Sequence, residues 1–324
     1  MADAAPTAAT AARDLQVRAA WFYYVEGLTQ EEIARAMDIS RAKVVRLLVA
    51  ARSEGVVRLE VAGRGGDLIA LERALVARYG LAEAVVTPAC ADDREAAAAV
   101  GHAAGTYLRS QLRDGLVLGV GWGATLTMAV APLEGVAAEG VAVVSLLGGM
   151  THSRAVNPAA VARRMADVLR AECYQLTAPL IVADELTREG LWREPGLREL
   201  RVRARRADIA LVSVGDASAE ATLFREEVLP RSYLTSLAAA SAAGDLLCHF
   251  LDADGRTVDH PVNRRVMAVS LEDLRRVPRI VVASGGRRKV DALRAALQAV
   301  PVRVLVTDAT AARGLLEQGP AEVA

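Results

Sequence analysis

Seven short apolar runs, alternating with Ala/Leu/Arg-rich stretches of helical period, restrict this chain more than any other feature of it. They are AVVTPA (84–89), LVLGVGW (116–122), VAVVSLLGG (141–149), PLIVAD (179–184), DIALVSVGD (208–216), RIVVASGG (279–286) and VRVLVTD (302–308). A strand that is apolar at consecutive positions hides both of its faces, and strands separated by helices are joined by crossovers. The pattern predicts an α/β domain built on a parallel sheet covered by helices on both sides. Several runs end in Gly or Asp just before a helix, at the sheet edge where such folds collect ligands. One segment breaks the pattern: GDLLCHFLDADGRTVDHPV (244–262) alternates, and predicts an antiparallel hairpin turning at DADG.

The N-terminal part differs in kind. Residues 1–12 are mostly small residues and predict a disordered tail, 13–62 a helical domain with a short extended end (GVVRLEVAG, 55–63), and 63–324 the α/β domain, with GRGGD (63–67) as the linker. In LTQEEIARAMDISRAKVVRLLVAARSEGVV, Thr29 and Glu32 form a capping box for a helix whose apolar face is Ile33, Ala34 and Met37. DIS (38–40) is a short break. Ser40 then caps a second helix with Val44, Leu47 and Leu48 on its apolar face. Two short helices joined by a tight turn make a helix-turn-helix. Its charge is polarised: Glu31, Glu32, Asp38 and Arg35 give the first helix −2, whereas Arg41, Lys43, Arg46 and Arg52 give the second +4 with no acid. Such a helix fits a major groove, with its first turn at base edges and its cations on phosphates. The candidate DNA contacts are Thr29, Gln30, Ser40, Arg41, Lys43 and Arg46. WFYY (21–24) holds four of the twelve aromatic residues and predicts core packing for the first helix.

Composition narrows the alternatives. The net charge is zero with pI near 6.9, so any nucleic-acid contact must come from that local patch. Cys90, Cys173 and Cys248 lack metal-ligand spacing, and predict buried thiols in a reducing compartment. No uncharged apolar run approaches the roughly 18 residues of a membrane span, and no leader pattern stands at the N-terminus, so a cytoplasmic protein without membrane contact is expected.

The stretch AAWFYYVEGLTQEEIARAMDISRAKVVRLLVAARSEGVVRLEV resembles the N-terminal domain of SorC-type sugar-binding bacterial transcriptional regulators. The likeness continues through GVGWGATL, ADIALVSVGD, AAGDLLCHFLDADGR, NRRVMAVSLEDLRRVPRIVVASGGRRKVDALRAAL and VLVTDATAARGLL. The resemblance implies a helix-turn-helix followed by a Rossmann-like effector domain similar to the ribose-5-phosphate isomerase and glucosamine-6-phosphate deaminase folds. It also implies operator DNA and a phosphorylated sugar or polyol as partners, and a homo-oligomer, dimer or tetramer. Val45 departs from the family pattern, which commonly has a serine at that place, and this removes a hydroxyl from the DNA-facing helix.

In LVLGVGWGATLTMAV, Gly121 and Gly123 allow backbone N–H groups to approach an anion, Thr125 adds a hydroxyl, and a helix starts there. The resemblance adds Trp122. The same stretch fits G-x-G-x-x-A, but the acid that a dinucleotide site needs would be Glu139, which precedes the next strand instead of ending it. No cofactor is therefore expected. Lys289 is one of only two lysines among 39 Lys+Arg, and stands just past the Gly285-Gly286 turn at the same sheet edge. A lysine suits a phosphate or sugar hydroxyl as a compact charge; the alternative is a solvated first-turn cation, as for Arg287 and Arg288. The resemblance implies a sugar contact for Asp245, whose alternative is a turn residue bonding its own backbone. Asn157 before Pro158 is a weaker effector candidate, and His152 is ambiguous. Asp308 is expected to cap the helix after it. The helix LIALERALVARYGL carries Leu68, Leu71, Leu75 and Tyr79 on one stripe, for a partner or for the sheet. A regulator is favoured over a sugar-phosphate isomerase or deaminase because no nucleophile–base constellation stands out among four histidines.

Overall fold

The structure, a computed structural model, describes residues 8–57, 66–152 and 157–317. It falls into two compact units, Met1–Arg64 and Gly65–Ala324. Most of the extended piece and the first part of the expected linker lie outside the described residues, as do residues 1–7 of the tail.

The first unit contains α1 (Ala8–Tyr24), α2 (Gln30–Ala36) and α3 (Arg41–Ser53). The first helix thus begins at Ala8, inside the stretch expected to be a tail. Its core is Ala19, Ile33, Val44 and Leu48, with Phe22, Tyr23, Tyr24, Leu28, Ala34, Met37, Ile39 and Leu47 packed around them. Both apolar faces read from helical spacing meet in this cluster. Trp21 does not: it is 56% exposed and its indole N–H donates to Glu26 Oε1 at 2.9 Å. Asp38 takes φ +52 between α2 and α3, the left-handed region that Asp tolerates better than most residues.

The second unit contains the helices α4 (Gly66–Tyr79), α5 (Asp93–Gln111), α6 (Ala124–Met128), α7 (Pro158–Leu169), α8 (Glu185–Arg193), α9 (Pro195–Arg205), α10 (Thr222–Arg225), α11 (Tyr233–Ala239), α12 (Leu271–Leu274), α13 (Val290–Ala299) and α14 (Ala309–Glu317). Its main sheet has seven parallel strands. They are β1 (Glu83–Thr87), β2 (Val117–Val120), β3 (Ala142–Ser145), β4 (Glu172–Tyr174), β5 (Ile209–Val212), β9 (Arg279–Ala283) and β10 (Val302–Asp308), in the order β1-β10-β9-β5-β2-β3-β4. A second, antiparallel sheet joins β6 (Val214–Asp216), β7 (Gly244–Leu246) and β8 (His249–Leu251). All four residues of β5 are buried, as expected for a strand covered on both faces. The α4 stripe is used internally: Leu75 is fully buried, Leu68, Leu71 and Tyr79 pack on the same core, and the Tyr79 hydroxyl donates to the Leu315 carbonyl at 2.9 Å.

Three expectations are corrected. PLIVAD (179–184) is no sheet strand: it pairs only at isolated bridges, Gly149 with Pro179 and Ile181 with Val266. Proline has no N–H to give a regular ladder. The strand that follows β3 is instead the three-residue β4, too short and too polar to stand out. DIALVSVGD (208–216) breaks at Ser213 into β5 and β6, which belong to different sheets. The hairpin turns not at DADG but at Leu247-Cys248, both with positive φ (+52 and +63), which is the pattern of a type I′ turn. DADG forms the next bend, closed by the bridge from Leu251 to Thr257. Only Cys248 of the three cysteines is buried.

Gly101 and Gly105 of α5 let α6 and the segment after it approach closely. A Cβ at Gly101 would stand 2.2 Å from the Thr125 carbonyl oxygen, and one at Gly105 2.3 Å from that of Ala129. Gly190, inside α8, has nothing within 4 Å of its would-be Cβ. Gly101→Ala is therefore expected to destabilise by about 1–3 kcal/mol through overpacking. Gly190→Ala is expected to stabilise by roughly 0.5–1 kcal/mol through helix propensity. Thermal unfolding of the two variants gives shifts of opposite sign if these contacts are right.

Candidate functional site

On the first unit, the Thr29 hydroxyl accepts from the Glu32 N–H at 3.3 Å and donates to Glu32 Oε2 at 2.7 Å, while the Thr29 N–H donates to the same carboxylate at 2.8 Å. These hydrogen bonds hold the Glu32 carboxyl below its ordinary pKa. The Thr29 side chain is thus committed to the helix start, and Gln30 beside it is half-buried. Ser40 caps α3 through the Lys43 N–H at 3.3 Å. Ser40, Arg41, Lys43 and Arg46 are all exposed, with Arg41 loosely paired to Glu31 at 4.0 Å. The face keeps three cations outward and no acid on α3, an arrangement suited to phosphates.

On the second unit, the sheet order sets the site. From β2 the chain moves to β3 on one side, and from β5 to β9 on the other, so the loops leaving β2 and β5 diverge at their C-terminal ends. This is a topological switch point, where open α/β sheets form a crevice. The Gly121 N–H still bonds the Leu211 carbonyl of β5 at 2.9 Å; beyond it the loops part. Gly123, half-buried, takes φ +122 as it enters α6, a conformation open to glycine alone without strain, and no side chain caps the turn. The first N–H groups of α6 consequently have no partner within their own helix. At five residues α6 is too short to add much of a dipole, so those N–H groups are what the turn offers an anion. Thr125 is 8% exposed beside them. Gly121 is buried against Leu247, and Trp122, only 7% exposed, packs in the core while the Ser213 hydroxyl donates to its carbonyl at 2.8 Å. Trp122 therefore helps build the wall and presents little surface to the crevice.

Lys289 does not point into bulk water. Its Nζ lies 2.6 Å from Asp216 Oδ2, with the side chains 21% and 8% exposed. The other Asp216 oxygen accepts from the Ser218 hydroxyl and, at 3.1 Å, from the Ser218 N–H. Burial pushes the Asp216 carboxyl up, but the Lys289 charge and these hydrogen bonds outweigh it and keep it below its ordinary value. Asp216, at the end of DIALVSVGD, is a site residue that sequence reasoning missed; the available signal is an acid closing an apolar run at the ligand edge. Arg288 is exposed, as expected, and pairs there with Asp93 across the Gly286 turn.

Asp245 is near this pair without touching it. It stands opposite Gly215 in the β6–β7 register, and neighbouring residues of a strand face opposite ways, so Asp216 and Asp245 project from opposite faces of the small sheet. Asp245 is 5% exposed, and its Oδ2 accepts from the Cys248 N–H at 2.9 Å, which ties down the Leu247-Cys248 turn. Burial raises its carboxyl to about 6, against the lowering effect of that hydrogen bond and of Lys289. Asn157 is likewise occupied. It caps α7 through the Ala159 N–H at 3.1 Å and holds Met150 by a 2.8 Å bond from its amide to the Met150 carbonyl. It thereby supports one wall of a separate cavity of about 320 Å³, lined in part by Gly149, Met150, His152 and Leu180. Asp308 caps α14 as expected, and also accepts from the Gly286 N–H at 2.7 Å. Glu139, the acid the dinucleotide reading needed, lies beside Asp114 and Gly115 at the opposite edge of the sheet. Among the described residues, no His/Cys/Asp/Glu group could hold a metal ion and no helix is long and apolar enough to cross a membrane.

The raised Asp245 carboxyl has a measurable consequence. Its folded form keeps the proton after the unfolded chain has released it, so stability falls as pH rises from about 4 to about 6 and then levels. Asp245→Asn retains an acceptor for Cys248 and has no charge to bury. Its melting temperature relative to wild type is expected to rise across that pH interval and stay constant above it; a flat difference would show that Asp245 titrates normally.

The comparisons with known proteins agree with this geometry. A sugar-binding domain family matches residues 64–317. The erythritol catabolism regulatory protein EryD of Brucella abortus is 32% identical over 306 residues, 94% of this chain and 96% of that one. The transcriptional regulator LsrR of Klebsiella pneumoniae is 34% identical over 312 residues, 95% of this chain and 94% of that one. Among solved structures, the full-length sorbitol operon regulator SorC of Klebsiella pneumoniae superposes with a TM-score of 0.70 at 25% identity, over 94% of this chain and 99% of that one. The helix-turn-helix, the doubly wound sheet and these relatives lead to one conclusion: the chain belongs to the SorC-type family of sugar-binding bacterial transcriptional regulators.

Proposed function

We propose that this protein regulates transcription by gripping operator DNA through α3, under the control of a phosphorylated sugar or polyol held in the crevice between the ends of β2 and β5. The observation that carries this reading is the partly exposed Lys289–Asp216 pair at the same C-terminal edge of the parallel sheet as the uncapped Gly123 turn. A free phosphate would be drawn to the N–H groups of the turn and the Thr125 hydroxyl. Lys289 is already paired, so the donor–acceptor couple it forms with Asp216 suits sugar hydroxyls, each of which both donates and accepts. Gly121, Trp122 and Asp245 act from behind, keeping the loops at their spacing, and Asn157 holds the Met150 loop beside the separate cavity. The relatives' names, attached to erythritol catabolism and the sorbitol operon, fit a polyol-sized ligand.

No catalytic role is assigned. His249 is fully buried on the Val269 carbonyl at 3.2 Å, with burial lowering it to about 4, and the Cys248 thiol is pushed well above its ordinary pKa by burial. At neutral pH such an imidazole is a weak base and such a thiol, held protonated, a poor nucleophile. The protein acts as a homo-oligomer, since helix-turn-helix readers address two half-sites. The effector then works by favouring one arrangement of the paired DNA-binding units over another.

Thermal shift of the full chain with phosphorylated sugars and polyols, their unphosphorylated forms and NAD(H) tests the ligand class. Stabilisation by phosphorylated compounds is expected; stabilisation by NADH alone would overturn it. Lys289→Ala is expected to weaken effector binding about tenfold or more, the loss of a charged hydrogen bond, with operator binding intact. For the DNA face, Lys43→Ala is expected to lower the slope of log affinity against log salt by about one, as removal of one phosphate contact requires.

A further inference from the structure

The outward ridge of α3 is apolar at its centre. With about 100° between successive residues, Val44, Leu47, Leu48 and Ala51 share the side turned into the unit, and Ala42, Val45 and Val49 lie on the side turned away. Val45 is 39% exposed and Val49 61%. Arg46 stands among them, and Arg41 and Lys43 flank the ridge on its two sides. These two branched aliphatic residues leave apolar surface in water, and their spacing of four places them one turn apart on one line.

We infer that Val45 and Val49 are specificity residues that read thymine, seating against the C5-methyl groups that A·T pairs present in the major groove. The inference rests on the DNA-binding reading of the first unit and deepens it. The major groove offers one apolar feature, the thymine methyl, and contact with it is how apolar side chains discriminate bases. The flanking cations decide the occupant. Arg41, Lys43 and Arg46 are exposed and no acid lies on α3, so this face complements a duplex, whereas pairing α3 with a second copy would bring like charges together. In the groove, the ridge meets base edges while Arg41 and Lys43 reach the phosphates of the two strands.

Uracil supplies the test, since it pairs as thymine does, offers the same groove acceptor and lacks only the methyl. Duplexes are first recovered from a random-sequence pool by binding to the full effector-free chain. They are then remade with deoxyuridine at single thymines. The expected result is about fourfold weaker binding at each thymine facing Val45 or Val49, the fold-change that corresponds to one buried methyl (~0.8 kcal/mol), with unchanged salt dependence. Val45→Ser and Val49→Ser each erase the difference at one position. Equal affinity for uracil and thymine duplexes at every position overturns the inference, as does a recovered consensus without A·T pairs. So does a pair of variants that keep the full penalty, or that change only self-association in sedimentation. Recovery of no duplex at all would sink the DNA-binding reading itself, a distinct outcome.

Discussion

The parallel pairing of β2 with β5 is what the rest of the second unit depends on. Parallel strands end at one edge, so the loops after β2, β5 and β9 must all emerge there. The order β9-β5-β2 then sets two glycine-entered turns, at Gly123 and Gly286, on either side of the chain that carries Asp216. No residue is brought to the site by its own local preference. Lys289 meets Asp216, 73 positions earlier, because β9 lies beside β5.

That dependence makes the surroundings intolerant of bulk in particular places. Gly101 and Gly105 of α5 take the Thr125 and Ala129 carbonyls at backbone contact distance, and a side chain at Gly215 would meet the Asp245 carboxylate. The acids nearest the crevice thus hold different jobs. Asp216 is coupled to Lys289, while Asp245 is consumed by a turn whose two central residues, Leu and Cys, are poor choices for positive φ. A buried acceptor for the Cys248 N–H offsets that local preference.

Much of this was legible in the sequence. Continuous apolar runs mark six of the parallel strands at nearly their observed places, because burial on both faces leaves a composition signal. The capping box at Thr29 and the two apolar faces of the helix-turn-helix are readable because both rest on contacts within a few residues. The failures share a cause. β4 is three residues at the sheet edge, without an apolar run, and its partner is fixed only by tertiary packing. The break at Ser213 has no Gly or Pro to mark it. The turn at Leu247-Cys248 carries none of the usual turn residues, whereas DADG carries several and misleads. At the site, Lys289 is marked by its rarity, but its partner Asp216 is hidden within a strand motif, and Trp122, which the resemblance implies as a contact, is packed into the core.

The pairing of β1 with β10 joins residues very far apart in the chain, Glu83 with Val304 for example. A ribosome adding roughly 5–20 residues per second leaves β1 without its neighbour for tens of seconds. Until β10 emerges, the growing polypeptide presents an unpaired, apolar edge, and a truncation reaching into Val302–Asp308 would leave that edge open to aggregation.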